Sequence, residues 1–194
     1  SGKSSLRLLA TREPPSLTDS FTALTQTRAG RSSSHRSELL GFFAVLALGL
    51  GLRLWFLKVP GYTVDVTLFT EWTDGLLKIP FDEYLGLVSP WCDYLPGYLY
   101  LLAATGRLKG LLTGGGVLPV QDFEPWIKAG PIAADLALAA TVYALARKFT
   151  SGRRSLLASS LILLNPSILF VGAVWGQVES IATALYMLAL LALV

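Results

Sequence analysis

Residues 156–174 contain no charged side chain, and residues 39–57 contain only one, Arg53. As a helix rising ~1.5 Å per residue, either run reaches across most of the ~30 Å hydrocarbon layer of a bilayer. Inside lipid every backbone N–H and C=O must be satisfied within the protein, which leaves helices or closed barrels. Continuous apolar runs, rather than alternating ones, select helices. The sequence therefore predicts an all-α, polytopic helical membrane protein. Composition agrees: the 194 residues are 53% hydrophobic and 15% charged, where a soluble domain carries about 25% charged residues.

Two more segments complete the expected set. Residues 126–146 are apolar apart from Lys128 and Asp135, and 181–194 form a shorter apolar stretch at the end of the sequence. Asp135 falls inside an expected span, where an ionised carboxylate is costly without a partner. Arg53 and Lys128 are the available cations, and the sequence does not choose between them. Arg53 itself lies near one end of its run, from where it is expected to snorkel to the headgroups. Asn165-Pro166 interrupts the third span, where proline kinks a helix and frees a carbonyl.

The net charge of +3 resides wholly in the first 38 residues. These carry Lys3, Arg7, Arg12, Arg28, Arg31 and Arg36 against Glu13, Asp19 and Glu38, with many Ser and Thr and Pro14-Pro15. Residues 1–38 are expected to be a polar, basic, flexible tail. Basic loops stay cytoplasmic, which places this tail and Arg147-Lys148…Arg153-Arg154 on the inner side of a cytoplasmic membrane. The intervening loop, 59–125, is then external and holds Asp65, Glu71, Asp74, Asp82, Glu83, Asp93, Asp122 and Glu124 against Lys78, Arg107 and Lys109. Within it, residues 66–77 place Leu68, Phe69, Trp72 and Leu76 on one helical stripe, just after Asp65, which could cap the helix. Residues 94–106 are apolar but too short for a confident span. Both stretches are expected as interfacial helices on the outer leaflet, where a soluble and a lipid substrate could meet.

Several chemistries are excluded. The single cysteine, Cys92, cannot pair within the chain. The single histidine, His35, lies in the tail, so no histidine triad or zinc cluster can form in the membrane part. The small net charge argues against nucleic acid as a partner. The Gly2-Lys3-Ser4 triplet lacks the upstream glycine and strand of a phosphate-binding loop. What remains is a convergence of three carboxylates, Asp65, Asp93 and Glu179, on the external face. Each also has a structural reading, as a helix cap, a turn former and a solvated span end.

An ordered set of motifs runs through the membrane part: Asp65 with Phe69-Thr70-Glu71-Trp72, then Asp93-Tyr94-Leu95-Pro96-Gly97-Tyr98-Leu99-Tyr100, Ala134-Asp135-Leu136, Leu164-Asn165-Pro166 and Trp175-Gly176-Gln177-Val178-Glu179-Ser180. Together they resemble the GT-C superfamily of integral-membrane glycosyltransferases, in particular bacterial proteins related to the GPI-anchor mannosyltransferases. The likeness covers roughly residues 60–185. It implies transfer of a sugar, with mannose the first to consider, from a polyprenyl-phosphate donor to an acceptor on the extracytoplasmic face. It assigns Asp65 as catalytic base and Asp93, Tyr94, Pro96, Gly97, Trp175, Gln177 and Glu179 to substrate binding. This sequence has Glu179 where the family usually has Asp, and Leu95-Pro96 where two prolines are usual.

A departing lipid phosphate needs positive charge or a metal nearby. Arg107, Lys109 and Lys128 lie on the expected face, and a carboxylate-held divalent cation, Mg or Mn, is the alternative. Enzymes of the family are longer, with more spans. The sequence is therefore expected to be the N-terminal part of an enzyme, or else a GT-C-derived accessory subunit that contacts other membrane subunits. A transporter is a third reading of an intramembrane acid such as Asp135.

Overall fold

The computed structural model describes residues 17–88 and 92–194, with side-chain detail from residue 36 onward. Among the described residues the chain is entirely helical, with no strand. It divides into two compact units, Ser1–Leu39 and Leu40–Val194. The helices are α1 (Leu17–Phe56), α2 (Thr63–Lys78), α3 (Phe81–Val88), α4 (Pro96–Thr113), α5 (Val120–Phe149), α6 (Gly152–Leu163), α7 (Pro166–Leu169), a π-helical turn (Phe170–Trp175) and α8 (Glu179–Leu193).

Among the described residues two helices are long and apolar enough to cross a membrane, Arg36–Phe56 within α1 and Val120–Phe149, and the bent pair Gly152–Leu163 and Pro166–Trp175 would make a third if it acts as one span. The first two contain the runs 39–57 (all but its last residue) and 126–146. Of the tail expected over 1–38, residues 1–16 lie outside the described residues and residues 17–38 belong to α1. After Pro15 no proline interrupts the chain before Pro60, and Leu, Ala, Gln and Arg favour continued helix. The expected span at 156–174 is not one straight helix. It breaks after Leu163, and the two pieces meet at 46°. Pro166 has no N–H to continue the ladder, and the Asn165 side chain takes the Ser167 N–H at 2.8 Å instead. The last apolar stretch is α8, 15 residues long.

α5 is the hub of the second unit, with α6 and α8 packed along it. The segment 59–125, expected to carry two surface helices, carries three among its described residues. These pack on one another rather than lying apart. Val66, Phe69, Trp72 and Leu76 of α2 recur at helical spacing and are buried, against Tyr84 of α3, Leu99, Leu102 and Ala103 of α4, and Phe123 and Ile127 at the start of α5. Burying such side chains contributes about 1.5–3 kcal/mol each, enough to make this layer a core in its own right.

Three fully buried ionisable groups of α1 and α5, Arg53, Asp135 and Lys128, are paired. Arg53 does not snorkel: it is fully buried, and its Nε donates to Asp135 Oδ2 at 2.8 Å. Asp135 thus takes Arg53 and not Lys128. Lys128, also fully buried, donates to Glu124 at 2.7 Å and to the Val59 carbonyl at 2.6 Å. Glu124 also accepts from the Gly61 N–H at 2.6 Å. This clasp ties the turn before α2 to the first turns of α5, and so sets where α2 begins.

Candidate active site

α2 starts at Thr63, so Asp65 is its third residue and not a cap preceding it; Tyr62 holds the cap position without a side-chain bond. The Asp65 carboxylate turns instead toward the segment after the π-helical turn. Trp175 Nε1 donates to Asp65 Oδ2 at 2.7 Å, and Gln177 Nε2 donates to the same oxygen. The Tyr94 hydroxyl in turn donates to Gln177 Oε1 at 2.7 Å. An amide that accepts at its oxygen must present its NH₂ on the other side. Tyr94 therefore fixes which end of Gln177 faces Asp65. Both donors use Oδ2 and neither uses Oδ1.

The backbone that brings Trp175 and Gln177 here depends on Gly176. It adopts φ 90°, in the left-handed region, and its backbone N–H closes the π-turn onto the Val171 carbonyl at 3.0 Å. A side chain at this φ is strained. The Trp175 ring is braced by Tyr62, with ring centroids 5.7 Å apart, and by Phe170 at 6.1 Å.

A cavity of about 520 Å³ opens beside Asp65, walled by Leu68, Phe69, Trp72, Cys92, Asp93, Tyr94 and Gln177. A second hollow, about 440 Å³ and mainly apolar, shares Asp93 and Tyr94 with it and runs between the start of α4 and α8, past Gly97, Tyr98, Leu101 and Leu185. Burial pushes the Tyr94 hydroxyl up to about 12, helped by the carboxylates of Asp65, Asp93 and Glu179 and opposed by its bond to Gln177. Tyr94 is thus a neutral donor at physiological pH. Burial likewise raises Tyr98, with Tyr94, Asp65 and Glu179 adding to it. The Tyr98 hydroxyl is buried without a hydrogen-bond partner.

The eight residues singled out in the sequence fall into distinct places. Asp65, Tyr94, Trp175 and Gln177 form one bonded network. Asp93 is exposed and lines both hollows. Gly97 lines only the apolar one. Pro96 is the first residue of α4, where its missing N–H costs nothing and its fixed φ suits the helix. Glu179 does not line the Asp65 cavity. It is exposed at the first position of α8 and borders a separate hollow of about 300 Å³ with Ser167, Ser180 and Thr183. Its charge nonetheless reaches the site, adding to the rise at Tyr94.

The expected cations are also redistributed. Lys128 is held by Glu124 and Val59, Lys109 donates to the Gly116 carbonyl, and Arg107 is exposed and lines neither hollow. Among the described residues no group of three or more His, Cys, Asp or Glu side chains comes together. The cavity walls that sequence reasoning missed are Leu68, Phe69, Trp72 and Cys92. For three of them the signal was present, as the helical stripe of α2. No protein-family model, curated protein or solved structure matches the chain.

Proposed function

We propose that the chain is the membrane-embedded part of a GT-C-type glycosyltransferase that uses a lipid-linked sugar at the Asp65 cavity. The membrane assignment is supported by exposed apolar side chains on α1, such as Leu40, Phe43 and Trp55, and on α6, Leu161. An apolar surface of this kind would be unfavourable in water. Two spanning helices with a basic amino-terminal side fit an integral protein of a bacterial inner membrane with the N-terminus in the cytoplasm.

The observation that carries the functional reading is the junction of two unlike hollows at Asp93 and Tyr94, beside Asp65. Aromatic rings, an amide and carboxylates are the groups that bind sugar rings and hydroxyls, and they wall the first hollow. The apolar second hollow suits the chain of a polyprenyl carrier. In the reaction, Asp65 Oδ1 takes the proton of an acceptor hydroxyl while that oxygen bonds to the anomeric carbon. The bond from that carbon to the phosphate oxygen breaks, and its electron pair leaves with the lipid phosphate. Trp175 and Gln177 hold the carboxylate in place for this step.

A second reading is a non-catalytic GT-C-derived subunit of a larger membrane assembly that holds such a glycolipid. It is favoured by the acidic character of the cavity, whose walls include Asp65 and Asp93 and, among the described residues, no cation. A partner would then supply the charge for the phosphate. Native membrane vesicles given radiolabelled polyprenyl-phosphate mannose separate the two readings. Labelled product that depends on the protein supports the enzyme. Binding of the donor without turnover, across a panel of sugars, supports the subunit.

A further inference from the structure

We propose that the buried Arg53–Asp135 pair is a positioning device, which holds the segment bearing Trp175 and Gln177 so that both reach Asp65. The inference rests on the Asp65 cavity being the working site, but its evidence is geometric.

The break after Leu163 creates a problem in the interior. The Ser167 N–H that would have met the Leu163 carbonyl goes to the Asn165 side chain. Leu163 is fully buried, so its carbonyl has no water to turn to. Arg53 Nη1 supplies the missing donor at 2.9 Å, and it also donates to the Gly49 carbonyl of α1 at 3.0 Å. The guanidinium thus fixes the start of the broken segment.

Asp135 fixes its middle and its end. One oxygen, Oδ2, accepts a hydrogen bond from Arg53 Nε–H and packs on Gly172 of the π-turn so closely that a Cβ there would stand 2.8 Å from it. The other oxygen, Oδ1, accepts from the Ser180 hydroxyl in the first turn of α8. The chain from Leu163 to Ser180 is therefore held at three points, all referred to one ion pair. Trp175 and Gln177 lie between the second and third of them.

A buried ion pair gives weak stability compared with well-packed apolar side chains of the same volume. Stability alone does not account for it here, and Arg53 Nη2 is buried with no partner at all. What an apolar pair could not do is hydrogen-bond both the Leu163 carbonyl and the Ser180 hydroxyl at the two ends of one segment.

The test reads the Trp175 indole N–H directly, in ¹⁵N-tryptophan-labelled protein in micelles. The resonance is identified by its loss in Trp175→Phe, and Asp65→Asn shows where it moves when the bond to the carboxylate weakens. The variants are Asp135→Asn, Ser180→Ala and the double replacement Arg53→Leu with Asp135→Leu. The proposal expects every folded variant to shift the Trp175 resonance toward its Asp65→Asn position while circular dichroism keeps the helix content. A folded double-leucine variant with the resonance unmoved would overturn it, because packing alone would then suffice. Should Asp135→Asn and the double variant not fold, Ser180→Ala, which leaves the ion pair intact, decides: a shifted resonance supports the device and an unmoved one contradicts it. Sugar transfer is not measured, so failure of the enzymatic reading would leave this result standing.

Discussion

Tyr94 and Gln177 lie 83 positions apart and are joined by a 2.7 Å hydrogen bond in which the phenol donates to the amide oxygen. The bond decides the orientation of Gln177, and through it the donor that Asp65 receives. A substitution that keeps the ring but removes the hydroxyl isolates this effect. In Tyr94→Phe the amide is free to turn. A neutral hydrogen bond of this kind is worth about 0.5–1.5 kcal/mol, so sugar transfer is expected to fall roughly three- to tenfold, with donor binding less affected. Steady-state rates at varied donor concentration measure both.

The same hydroxyl sets a limit at high pH. Its ordinary value is 10.0 and in the folded protein it is pushed up to about 12. The folded state then keeps its proton where the unfolded state has lost it, so stability falls with rising pH in that interval. The contribution is complete below about pH 10 and is lost between pH 10 and 12. Thermal melts across this range should show a downward slope that is shallower in Tyr94→Phe.

Gly176→Ala should disturb the site from the backbone. At φ 90° a Cβ is strained by about 1–2 kcal/mol, and it would also stand 3.4 Å from the Lys128 side chain. The expected result is a lower melting temperature together with loss of transfer. A full-strength melting temperature would show that the turn can be remade without glycine.

Tyr98→Phe acts in the opposite direction. The Tyr98 hydroxyl is buried without a partner, and an orphaned polar group of this kind costs about 1–3 kcal/mol. Its removal should raise or preserve the melting temperature of the ligand-free protein. A marked decrease would reveal a partner for the hydroxyl.

Much of the fold was legible because hydrophobic runs report directly on helices. The uncharged stretches gave the helical class, and Asn165-Pro166 gave the break, since proline acts through its own missing N–H and needs no context. The stripe of Phe69, Trp72 and Leu76 gave the buried face of α2. Pairing was not legible. Nothing in the order of residues tells Asp135 to choose Arg53 over Lys128, because that choice depends on how α1, α5 and the broken helix pack. The local signal at Asp65 pointed to a cap, yet long-range donors from Trp175 and Gln177 claimed its carboxylate.

The account turns on Asp65 as the group that takes the acceptor proton. Asp65→Asn keeps the size of the side chain and an oxygen for Trp175, but removes the base. Transfer of sugar from polyprenyl-phosphate mannose, or from whichever donor proves active, should be measured in native membranes for both forms, with expression and donor binding as controls. The account predicts that kcat falls by about 10²–10⁴ while donor binding stays close to that of the unaltered protein. Transfer within a fewfold of the original rate would contradict it and remove Asp65 from the chemistry.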